Sequence, residues 1–436
     1  MAGRMRIAYL IGRYPWITHT FILREARALR RLGVAVQCFS IWRTARRHLH
    51  SAADWEEWQS TDALVPPHPA RLMRAHLRAM TLAPRAYLAA FGRALSLSAP
   101  GVRRRVLALS WFVEAIVLWD ACRRRGLTHI HAHLDGAAPM VAMLAVDFAR
   151  QSPSDAGPRS WSQTVHGSKE FYDVYRERLD VRAASAMFIA CVSDYTRSQV
   201  MAFVPEELWD KLVVVRCGVD LDEFSPRGVA RSREGLRILT VGRVDAMKGT
   251  VVLLHALKRL SQQGLRATLM VVGEGPSKDK AMRMTERLGL QGQVRWEGAI
   301  GQDRIREFYV DCDVFCLPSF AEGVPVVLME AMAMEVPVVA NAITGIVELV
   351  EDGVSGFLVR PGRVDELADR LAQVLEDPDL QASMGRAGRA KVAAEYDLEH
   401  NARMLARLLA EGPPRRAEEP VRASASPVPV AAGNQP

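Results

Sequence analysis

The sequence predicts an α/β protein of two doubly wound, Rossmann-like domains. Three observations predict it. Short apolar runs alternate with helical patterns along the whole chain, as parallel strands joined by crossover helices on both faces require. The runs number twelve, more than one ordinary sheet holds, so they divide between two sheets. The 436 residues, 49% hydrophobic and 24% charged, are enough for two domains with full cores.

In the first half the strands are predicted at Arg6–Ile11, Val34–Ile41, His129–His133, Trp161–Val165, Met187–Val192 and Leu212–Val215. In the second half they are Leu236–Val241, Ala267–Val272, Val294–Trp296, Val314–Leu317, Val336–Ala340 and Gly356–Val359. Helical patterns between them include Phe21–Leu32, Thr250–Gln263 and Pro276–Leu288. The pattern breaks at Asp222–Glu234, around Ser225-Pro-Arg-Gly228, so residues 1–225 form one domain and 226–410 the other. The last helices of the second domain are placed to pack back on the first. Residues 411–436 hold six prolines and no aromatic, and read as a disordered tail.

Six cysteines are scattered in apolar contexts with no CxxC pair, which reads as buried reduced thiols. The N-terminal apolar run is too short for a signal peptide, and no apolar window of about 18 residues occurs. These features point to a reducing cytoplasm. The net charge of +8 is uneven. Residues 1–225 carry 30 Lys/Arg against 21 Asp/Glu, the remainder 27 against 28. The excess is densest over residues 71–125, with 11 Arg against Glu114 and Asp120. Arg interleaved with apolar residues reads as basic amphipathic helix, either a solvated face or an anionic membrane contact. No nucleic-acid recognition motif accompanies it.

Ligands of open α/β sheets gather beyond the carboxyl ends of the strands, and four such positions are equipped. Arg243 and Lys248 follow a strand and suit a diphosphate. Gly273-Glu-Gly275-Pro276 makes a tight strand-to-helix turn but lacks the third glycine of a dinucleotide fingerprint. His166-Gly167-Ser168 follows a strand, and alone reads equally as structural. Ser319 to Ala333 sets Glu322 and Glu330 eight positions apart across Gly323 and Pro325, which open a helix. Exposed N–H groups there favour an anion, and the carboxylates can accept sugar hydroxyls.

Together these segments, with Gly345-Ile-Val-Glu348 and Val213 to Phe224, resemble the retaining glycosyltransferases of family 4, of GT-B architecture. Tyr14-Pro-Trp-Ile-Thr-His-Thr-Phe21-Ile-Leu-Arg-Glu25 is similar to enzymes building colanic-acid-type exopolysaccharides. The resemblance implies that the two domains face a central cleft with a UDP- or GDP-sugar donor in it, no cofactor and no metal, and a lipid-linked or oligosaccharide acceptor. It gives Arg243 and Lys248 the diphosphate, Glu330 the ribose hydroxyls and Glu322 the sugar hydroxyls. The backbone at Gly323 and Val324 would meet the sugar or its phosphate, with Gly275 also substrate-binding and Gly12 in contact with phosphate or acceptor. His166 would approach the sugar from the first domain, and the Val294–Ile300 loop would hold the base. An acceptor on a membrane strengthens the reading of the basic first domain as a peripheral contact on the inner face of the cytoplasmic membrane.

The chain departs from the family in two places. The first βα loop has one glycine, Gly12, where paired glycines are usual. Glu335 stands where Gly is usual, which implies a different turn geometry. His131 and His133 lack a third metal-binding partner in the sequence and read as structural. A catalytically silent module of the same fold, or a nucleotide-sugar epimerase, are the competing readings.

Overall fold

The computed structural model describes residues 5–98, 101–153, 156–167, 171, 178–226 and 235–414. Ser168, the linker over 227–234 and the tail from 415 lie outside them. Seven parallel strands form the first sheet: β1 (Arg6–Tyr14), β2 (Ala35–Arg43), β3 (Asp62–Val65), β4 (His129–His133), β5 (Ser160–Val165), β6 (Ile189–Cys191) and β7 (Leu212–Val214). Their order is β3-β2-β1-β4-β5-β6-β7. The second sheet holds β8 (Leu236–Val241), β9 (Ala267–Val272), β10 (Val294–Gly298), β11 (Val314–Leu317), β12 (Val338–Asn341) and β13 (Gly356–Val359). Its order is β10-β9-β8-β11-β12-β13. The strand order reverses between β1 and β4 and between β8 and β11, which puts a ligand crevice at the carboxyl ends of each pair.

All twelve predicted strands form, and β3 is the thirteenth. Four residues opening on an aspartate and ending before two prolines carry too little period-2 signal to read as a strand. The first βα loop is also corrected. β1 runs on to Tyr14, pairing Arg13 with Trp42, so Gly12 lies inside a strand. Pro325 caps the helix Val326–Ala333 from outside instead of forming its first turn.

Glu335 overturns the expected change of turn. Its φ is 56°, the left-handed conformation a glycine would take. The bonds Glu335 N–H to Met332 O and Val336 N–H to Ala331 O close the helix end in the usual way. The turn geometry is kept, and Glu335 bears its strain.

The last helix, Leu398–Glu411, crosses back to the first domain. Leu398, Ala402, Leu405, Leu408 and Leu409 share a core with Ile22, Leu29 and Val36. Each fully buried leucine contributes about 1.5–3 kcal/mol. Arg389 donates to the carbonyls of Phe224 (3.0 Å) and Leu221 (3.3 Å), which ties the interdomain segment to the second domain.

Candidate active site

The carboxyl ends of β8 and β11 bring two predicted residues together. Lys248 Nζ donates to Glu322 Oε1 at 2.6 Å. The Lys248 loop is shaped locally: Asp245 accepts from Met247 N–H at 3.0 Å to start a short helical turn. Gly249 ends that turn at φ +64°, packed so closely on Pro318 that a side chain has no room. Phe320 N–H donates to Met247 O at 2.7 Å, joining the Lys248 loop to the Glu322 loop. Arg243 stands beside them, its side chain 53% exposed and 3.8 Å from Asp245. Gly275 abuts the Val244 backbone, so close packing of the loops after β8 and β9 accounts for a glycine there.

Glu330 is only 2% exposed and its two oxygens are separately engaged. Arg24, from the first domain, donates to Oε1 at 2.7 Å, and Tyr309 donates its hydroxyl to Oε2 at 2.7 Å. Burial opposes the Arg24 charge, but Glu330 and Glu223 hold its pKa above the ordinary value. Burial, then the Glu330 charge, pushes the Tyr309 phenol well up. Removing one partner of such a buried pair typically costs about 3–5 kcal/mol. A carboxylate has about four lone-pair sites, so Glu330 retains capacity for further hydroxyl donors.

Gly323 sits on the seam between the domains, against the His166 carbonyl and Gly167. Val324 is buried in the core of the second domain. His166 lies at the end of β5 against Phe21, ring centroids 4.7 Å apart, with its Nε2 3.1 Å from His133 Nδ1. Burial, with His19 adding to it, lowers the His166 pKa to about 3, so the imidazole is neutral. The third partner missing from the sequence around His131 and His133 is Glu25: ligand atoms of the three lie within 4.8 Å of one another. Both His131 nitrogens are already engaged, by Ser162 Oγ at 2.7 Å and Thr164 Oγ1 at 2.9 Å. The cluster is therefore a hydrogen-bond network in this structure.

The family described as glycosyl transferases group 1 matches residues 223–391, which hold Arg243, Lys248, Glu322 and Glu330. A GDP-mannose-dependent alpha-(1-6)-phosphatidylinositol monomannoside mannosyltransferase of Mycolicibacterium smegmatis is 32% identical over 58% of the chain and 69% of its own length. The chain belongs to the glycosyl transferases group 1 family. The transferase is also 28% identical to the putative colanic acid biosynthesis glycosyltransferase WcaL of Salmonella typhimurium, over 93% of this chain and 99% of that protein. Among solved structures, Anabaena HepE in complex with UDP superposes with a TM-score of 0.67 at 19% identity. That match covers 93% of the transferase and 100% of HepE, and bears out the GT-B fold.

Of the residues singled out by sequence, the structure of the transferase brings Lys248 to Glu322, and His166 to Gly323. Arg243 pairs with Asp245 rather than with Glu322 or Glu330. Gly12, in open surroundings within β1, is joined to none of them. Sequence reasoning missed Arg24, Glu25 and Tyr309. Arg24 and Glu25 sit mid-helix on a face otherwise lined by Ile22, Leu23, Ala26 and Leu29, and charge on a buried apolar face was the available signal.

Proposed function

We propose that the transferase moves a sugar, with retention and without a metal ion, from a UDP- or GDP-sugar to a lipid-linked or saccharide acceptor. The setting we propose is bacterial exopolysaccharide or cell-surface glycan assembly. The observation that carries the donor reading is the Lys248–Glu322 pair at the β8–β11 switch point. A diphosphate entering beside Arg243 would draw Lys248 to itself and free Glu322 for the sugar hydroxyls. Glu330 takes the ribose hydroxyls on its remaining lone pairs. Charge-assisted bonds of about 1.5–3 kcal/mol each stabilise the leaving nucleotide as its charge develops. The acceptor hydroxyl attacks on the face the phosphate leaves, and the departing phosphate takes its proton. Glu322 is then neither acid nor nucleophile, unlike the carboxylate pair of a glycosidase. Closure of the domains excludes water.

Support for UDP comes from the HepE complex, and for GDP from the mycobacterial relative. Likeness to WcaL supports exopolysaccharide assembly. For an acceptor on anionic lipid, support comes from the helices Pro69–Leu82, Pro84–Leu97 and Val102–Arg125. Their alanines (Ala75, Ala79, Ala86, Ala90) are buried, while Met73, Leu77, Leu88, Val102 and Val106 face outward among exposed arginines. No helix among the described residues is long and apolar enough to cross a membrane, and the contact we propose is a peripheral one.

The test is nucleoside diphosphate release from UDP-, GDP- and dTDP-sugars with a polyprenyl-linked acceptor and EDTA, the product anomer being read by proton NMR. One donor should turn over with retention, and Arg243→Ala and Glu330→Ala should each lose at least about tenfold in kcat/KM. Full activity in both variants, or an inverted product, refutes the reading.

A further inference from the structure

A line of buried polar groups runs from the core of the first domain to His166. Tyr9 donates its hydroxyl to Glu25 Oε1 at 2.8 Å. The same oxygen lies 3.4 Å from His133 Nε2, a buried nitrogen with no hydrogen-bond partner. His133 Nδ1 lies 3.1 Å from His166 Nε2, and His166 Nδ1 lies 3.9 Å from Cys217 Sγ. These residues come from β1, the helix Thr20–Arg31, the ends of β4 and β5, and the segment after β7. We infer that Tyr9, Glu25 and His133 are positioning residues that set the tautomer of His166, and that uptake of one proton at Glu25 reverses it.

The chemistry follows from the two nitrogens of a neutral imidazole, one of which donates while the other accepts. With Glu25 ionised, His133 Nε2 carries its proton 3.4 Å from the carboxylate oxygen, a charge–dipole contact rather than a hydrogen bond, and His133 Nδ1 accepts from His166 Nε2–H. His166 Nδ1 is then bare and accepts. With Glu25 protonated, its O–H donates to His133 Nε2, His133 Nδ1–H donates to His166 Nε2, and His166 Nδ1 carries a proton. One proton is gained overall and both rings stay neutral. The other titratable groups facing the chain are His19, His131, Cys217 and, beside Tyr9, Cys38 and Tyr14, whose phenol burial pushes well up. Burial holds both of those imidazoles and both of those thiols neutral. Burial lifts Glu25 to about 7, with the Tyr9 hydrogen bond pulling the other way, so this carboxyl titrates in the neutral range.

The consequence for transfer rests on the reading above that His166 meets the donor sugar; the tautomer switch itself does not. The test is nitrogen-15 NMR of histidine-labelled protein from pH 5.5 to 8.5, with His166→Asn assigning the signal. The His166 tautomer should change with a midpoint near 7, and Glu25→Gln should make it pH-independent. Tyr9→Phe removes a donor to the ionised carboxylate and should move the midpoint upward. A wild-type tautomer that is constant with pH, an unchanged transition in Glu25→Gln, or an unmoved midpoint in Tyr9→Phe overturns the inference. Should the tautomer switch as expected while no nucleotide-sugar turns over, the chain stands and the functional reading fails.

Discussion

Lys248 and Glu322 meet at 2.6 Å although 74 positions separate them, because each sits one short loop beyond neighbouring parallel strands. Glu335 shows the opposite case, a residue whose local conformation costs energy. A non-glycine residue held left-handed costs about 1–2 kcal/mol, part of which glycine returns through its freer unfolded chain. Glu335→Gly should therefore stabilise the fold by about 0.5–1 kcal/mol in urea denaturation at unchanged m. A destabilised variant would show that the Glu335 side chain contributes more than its backbone strain removes. At the residue level the sequence is most readable where the chemistry is local. Arg243, Lys248 and Glu322 stand just beyond strands, and Glu330 in the helix that follows, each with its strand, glycine and helix within a few positions. Arg24 and Tyr309 escaped it because each acquires its role only from Glu330, and Arg24 is 306 positions away.

At the scale of elements, the strands were legible because buried parallel strands are short continuous apolar runs. β3 was not, since it is an edge strand of four residues beginning with Asp62. The helices over 69–125 illustrate a subtler limit. Their arginine excess was visible, but which apolar residues stay outside depends on the alanine stripes that pack inward. With Leu88 at 68% exposed and Val102 at 82%, these helices carry apolar surface that a wholly solvated face has no use for. Co-sedimentation with vesicles containing phosphatidylglycerol should show binding that weakens with salt. Leu77→Glu/Leu88→Glu should abolish it while leaving the thermal transition in place. Equal recovery with neutral vesicles, or no binding at all, counts against the membrane contact.

On the scale of the whole molecule, the two domains meet through specific polar contacts as well as the core that the last helix shares with the first domain. Arg24 reaches Glu330, and the Glu348 carboxylate accepts from the Asp194 and Tyr195 N–H groups at 3.0 and 2.7 Å, capping a helix of the other domain. Gly323 lies on the His166 carbonyl, so the Glu322 loop and the His166 loop are in contact across the interdomain cleft. None of this closure has a local signal in the chain, because every contact joins residues more than a hundred positions apart. The central claim is that this cleft holds a nucleoside diphosphate through Lys248. Calorimetric titration of UDP and GDP into the wild type and Lys248→Ala tests it most directly. One nucleotide should saturate the wild type, and the variant should bind it roughly 10–100-fold more weakly, the equivalent of one charge-assisted hydrogen bond. Equal affinity in the two proteins, or no binding of either nucleotide to the wild type, would contradict the claim.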